Sequence, residues 1–139
     1  MATESRHVAV WIGRAAEEVY AYVVEPGNLP EWAPGLGSAV EEVDGRWFVQ
    51  TGDGRVEVAF AARNEFGVLD HRVTLPSGEV VYVPLRVVAD EAGGGSEVVF
   101  TLWRQVGMSD GDFARDEAAV AADLARLKAV LEGRGVGGA

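Results

Sequence analysis

One helix, and the strands that precede it, decide what this chain can become. From Ser109 to about Glu132 the apolar residues Phe113, Val120, Leu124, Leu127 and Leu131 recur at spacings of seven, four, three and four, a single stripe along a long helix. Ser109-Asp110-Gly111-Asp112 opens it as a capping box, with acids where a helix N-terminus favours them, and Gly133 and Gly135 end it. A helix with one apolar stripe has to lie across another apolar surface. The residues before it supply that surface as strands.

Six strand-like runs stand between Ala39 and Arg104: 39–43, 46–51, 55–62, 68–75, 80–90 and 97–104. Turn chemistry separates them, including Asp44-Gly45, Gly52-Asp53-Gly54, Pro76-Ser77-Gly78 and Gly93-Gly94-Gly95. Short turns between strands favour an antiparallel meander. Ahead of it, Arg6–Ile12 alternates Val8, Val10 and Ile12 against His7, Ala9 and Trp11, a strand with one buried face that can join the sheet's edge. Ala15–Val24 then takes helical spacing and stops at Pro26-Gly27. Asn28-Leu29-Pro30-Glu31 reads as a capping box opening a short second helix that contains Trp32, ended by Pro34-Gly35. The expected fold class is α+β: a strand, two short helices, a six-strand meander and a long C-terminal helix packed across it. A twisted sheet of this size curls around such a helix and leaves a gap between helix and concave face. That gap is a natural ligand site.

The whole chain, residues 1–139, is expected to form one domain, with a structured core of about 6–132 and a tail over 133–139. With no cysteine, disulfides, thiolate catalysis and thiolate metal sites are excluded, and only His7 and His71 could offer imidazole. No metal and no cofactor is expected. A formal charge of −10 argues against a nucleic-acid partner, because phosphate binding draws on Lys and Arg. No run approaches the roughly 20 apolar residues of a membrane span, and no signal peptide is visible, so a cytoplasmic location is expected. Monomer and dimer are both open.

Several stretches resemble the START-like, or SRPBCC, superfamily. Ile12-Gly13-Arg14-Ala15-Ala16-Glu17-Glu18-Val19-Tyr20 is similar to its strand-to-helix opening, and Asn28-Leu29-Pro30-Glu31-Trp32 to its short second helix. Glu65-Phe66-Gly67-Val68-Leu69-Asp70-His71 and Gly107-Met108-Ser109-Asp110 resemble the bacterial polyketide cyclase/dehydrase-like branch. The resemblance spans about residues 6–132. It implies a helix-grip fold, in which the sheet wraps the last helix, and a hydrophobic small-molecule ligand. It does not choose among enzyme, carrier and sensor.

His71 is the candidate catalytic residue. Alternation in 68–75 groups Leu69, His71, Val73 and Leu75 on the face expected inward, where an imidazole could serve as acid or base or bond a ligand carbonyl. The bland alternative is a core histidine satisfied by its surroundings. Glu117 fills the gap of seven in the last helix's stripe, with Asp116 nearly as well placed; either carboxylate would need a partner, for which Arg86, Arg104 and His71 are available. In 80–90 the set Val81, Val83, Leu85 and Val87 is the more apolar and is expected in the core; were the other set inward, Tyr82 and Arg86 would anchor a ligand. Trp32, Phe60, Phe100, Phe113 and Val120 complete the expected lining. Gly35-Leu36-Gly37 reads as a gate over the cavity or a plain turn.

Three functions follow. The first is binding of a polyketide, lipid or isoprenoid in the cavity. The second is a cofactor-free cyclase or aromatase using His71 as acid/base. The third is a protein-interaction module of the co-chaperone type.

Overall fold

A computed structural model describes residues 2–34, 37 and 39–134. Of the gate expected over Gly35-Leu36-Gly37, residues 35 and 36 lie outside the described residues, as do residues 135–139 of the tail expected over 133–139, whose first residue instead ends the last helix. The element order is β1 (Ser5–Ile12), α1 (Ala16–Val23), a 3-10 turn (Pro26–Asn28), α2 (Leu29–Trp32), β2 (Ala39–Val43), β3 (Arg46–Thr51), β4 (Gly54–Phe60), β5 (His71–Thr74), β6 (Val80–Val83), β7 (Leu85–Asp90), β8 (Gly95–Trp103) and α3 (Asp110–Gly133). This is the α+β helix-grip arrangement, a curved antiparallel sheet around a long last helix. Seven strands follow the short helices where the sequence predicts six. The run 80–90 divides at Pro84, which has no N–H to give a ladder.

The sheet has two ladders, β1-β8-β7 and β2-β3-β4-β5-β6, antiparallel throughout. They are joined at a seam. Residues 67–69 pair with β7 through Leu69 N–H to Leu85 O (2.8 Å) and Val87 N–H to Gly67 O (2.9 Å). One residue later the chain crosses over, and His71–Thr74 pairs with β4 and β6 instead. Gly67 is required at this close approach: φ is +72°, and a Cβ there would collide with the Val87 carbonyl. The preceding turn is organised by Asn64, whose Oδ1 accepts from Phe66 and Val68 N–H while its Nδ2 donates to Ala62 and Val68 carbonyls.

Asp70 ties the seam on the outer side. Its carboxylate accepts from the Leu85 amide (2.9 Å), the Tyr82 hydroxyl (2.8 Å) and both arms of Arg86 (2.8 Å each). The Arg86 guanidinium is the main reason that Asp70 stays well below the usual carboxylate range.

Beneath the sheet, Leu124, Leu127 and Leu131 of α3 are buried with Val19 and Val23 of α1, Ile12, Val98 and Leu85. Ser109 caps α3 as the sequence predicts, its hydroxyl accepting from Asp112 N–H at 3.0 Å. The far end is held by Glu132, which accepts from Gly13 N–H (2.7 Å) and Lys128 (2.9 Å), while Arg14 donates to the carbonyls of Glu132 and Arg134. The Asn28 cap does not form. Asn28 is already helical, and its Nδ2 donates backward to the Tyr22 carbonyl, while Glu31 accepts from the Tyr22 hydroxyl. The 3-10 turn beginning at Pro26 takes over the start of the helix, so the cap geometry has no place.

Candidate functional site

A cavity of about 270 Å³ lies between the first half of α3 and the concave sheet. Its size is near the lower end for small-molecule pockets. Leu29, Trp32 and Ala33, from α2 and the residue after it, close one side. Phe60 of β4, His71 and Val73 of β5, Val83 of β6, and Phe100 and Leu102 of β8 form the concave floor. Asp116, Ala119, Val120, Asp123 and Leu124 face it from α3.

His71 owes its place to the seam. The crossover after Leu69 sets it opposite Phe60 on one side and Val83 on the other. Its ring lies 5.0 Å from Phe60 and 6.5 Å, edge-on, from Phe100. The Nδ1 atom is 3.1 Å from the Leu69 carbonyl, and because a carbonyl only accepts, Nδ1 carries the proton. In the neutral ring Nε2 is then an acceptor. Burial lowers the pKa of His71, opposed by the Leu69 bond and by the charge of Asp70, so the ring is neutral near pH 7. In that state Nε2 accepts a hydrogen bond and does not donate one.

Of the expected lining residues, Trp32, Phe60, His71, Val73, Phe100 and Val120 meet around the cavity. The others are elsewhere. Leu69 is in the core beside Leu85, because it precedes the crossover and pairs with the other ladder. Tyr82 and Arg86 lie on the outer face, held by Asp70; Val83, Leu85 and Val87, the more apolar set, take the inside. Arg104 bonds Glu4 (3.0 Å), Asp110 (2.7 Å) and the Met108 carbonyl (2.8 Å), joining the end of β8 to the start of α3. Phe113 is buried between the guanidinium groups of Arg104 and Arg6, below the cavity's reach. Glu117 turns outward to Arg6 at 3.8 Å, and Asp116 faces the cavity. A stripe at 113, 117, 120 and 124 faces the core only if the helix presents one line; the cavity-facing line is 116, 119–120 and 123–124, one notch around.

That notch also brings in Asp123, which the apolar-stripe reading misses. Seven residues after Asp116, it lies on the same face, and this spacing is the signal that could have found it. Burial alone raises its pKa, to about 6, with no cation or donor acting against it. Trp32 adds a second unsatisfied group. The indole is 4% exposed, and its Nε1 is the buried side-chain nitrogen or oxygen without a hydrogen-bond partner among the described residues.

A helix-grip domain with an apolar cavity under its last helix is the class of protein these features define. The sequence places it more narrowly. Residues 3–132 match the family described as polyketide cyclase / dehydrase and lipid transport, and the chain belongs to that family. Among solved structures, an uncharacterised protein of Bacillus thuringiensis superposes with a TM-score of 0.74 at 14% identity, over 93% of this chain and 99% of its own. The two-domain aromatase/cyclase BexL of the BE-7585A biosynthetic pathway gives 0.67 at 19% identity, over 93% of this chain and 46% of BexL. The Aha1 dimer of Colwellia psychrerythraea gives 0.71 at 16% identity, over 95% and 99%. No curated protein matches the sequence. At these identities the likeness is one of fold.

Proposed function

We propose that the protein binds a small, compact hydrophobic molecule in the cavity between α3 and the concave sheet. One observation carries this reading: the lining is aliphatic and aromatic except for His71, Asp116 and Asp123, a few polar groups on an apolar surface, as in small-molecule sites generally. The family's description and the aromatase/cyclase neighbour agree with such a ligand. Native mass spectrometry of freshly purified protein tests it. A small-molecule adduct present on the wild type and absent from a folded Val73→Trp variant is the expected result. An adduct that survives in Val73→Trp would move the ligand out of this cavity.

A second reading, an acid/base enzyme acting on the bound molecule, is favoured by the neutral His71, whose Nε2 can accept a proton. His71→Asn separates the two. An enzyme would lose turnover and keep its affinity; a carrier would only bind somewhat more weakly.

A further inference from the structure

The polar groups of the cavity are all of one kind. Asp116 and Asp123 present carboxylates, and the Leu69 bond leaves His71 with an acceptor at Nε2. No Lys or Arg is among the lining residues. The donor nearest at hand, Trp32 Nε1, is sealed in the wall rather than open to the space. A ligand rich in carbonyl oxygens or ending in a carboxylate would meet acceptors with acceptors. A ligand that donates would not.

We infer that the cavity selects an apolar molecule bearing a protonated nitrogen, an amine or amidine, which is seated against Asp123 with Asp116 and His71 as further acceptors. The inference deepens the proposed binding function and rests on it. Asp123 is the strongest part of the case. It is half-buried on an apolar helix face with no partner among the described residues, and a carboxylate taken out of water without a cation is costly to keep charged. A ligand ammonium would supply the missing charge at a partly desolvated site, where the attraction is less screened than in open water. The overall charge of −10 favours the approach of a cation as well.

Three fluorescent probes with one ring system and different heads test this: (aminomethyl)anthracene, anthracenemethanol and anthracenecarboxylate. The amine is expected to bind wild-type protein at least about tenfold more tightly than the carboxylate, a difference of about 1.4 kcal/mol. Asp123→Asn, alone or with Asp116→Asn, is expected to remove that preference, and Val73→Trp to abolish amine binding. If the alcohol binds and the amine is no tighter than the carboxylate, the inference fails while the proposed function stands. A preference that persists in the double variant, or amine binding that persists in Val73→Trp, would place the amine on the acidic surface and also overturn it. If none of the three binds, the cavity reading itself falls and the inference falls with it.

Discussion

Asp123 and Trp32 each carry a polar group that finds no partner among the described residues. A carboxyl raised from 3.8 to about 6 binds its proton more tightly in the folded protein than in the unfolded chain. Its contribution to stability is therefore intact below about pH 4 and is lost as pH rises through about 6. Asp123→Asn, which has no proton to lose, is expected to be the more stable protein above that range, by about 1 to 2 kcal/mol after allowance for solvent screening, with the gain vanishing near pH 4. Denaturant titrations at several pH values check this, and an Asn variant no more stable than wild type at pH 8 would contradict it. Trp32→Phe is expected to be neutral or slightly stabilising. It gives up little apolar area and removes a buried donor that costs roughly 1 to 3 kcal/mol when unpaired. A loss of more than about 2 kcal/mol on thermal or chemical unfolding would mean that Nε1 has a partner.

The last helix is the element that makes the fold, and most of it can be read from the chain. Its cap, its length and its buried leucines follow from residue spacing alone, since these depend on local chemistry and a 3.6-residue period. Leu124 is 1% exposed, so Leu124→Ala is expected to cost about 2 to 5 kcal/mol in a denaturant titration. A cost below about half a kcal/mol would remove it from the core. What the spacing could not show was rotation. A shift of one residue around the helix exchanges Glu117 for Asp116, and only the positions of Arg6 and the sheet decide it. The strands behave in the same way. Alternation puts Val83, Leu85 and Val87 inside and Pro84 marks a local break, but the ladder each half of that run joins and the crossover between Leu69 and His71 are long-range facts. They set Leu69, Tyr82 and Arg86 apart from the cavity, and the Asp70 contacts that secure them join residues 12 to 16 positions apart.

At the scale of the molecule, the sheet's two ladders, the seam between them and the helix beneath form a shell around one apolar space. The seam explains why His71 is inside and neutral while its neighbour Asp70 is outside and firmly ionised, two groups one residue apart in opposite settings. The helix supplies the wall opposite the sheet and both carboxylates. Binding in this space is the central claim, and a neutral probe isolates it from charge. Anthracenemethanol fluorescence, titrated with wild-type protein and with a Val73→Trp variant shown by circular dichroism to be folded, is the direct measurement. The account predicts saturable one-site binding to the wild type and none to the variant, whose new indole fills the space. Equal binding to both proteins, or none to the wild type, would contradict it.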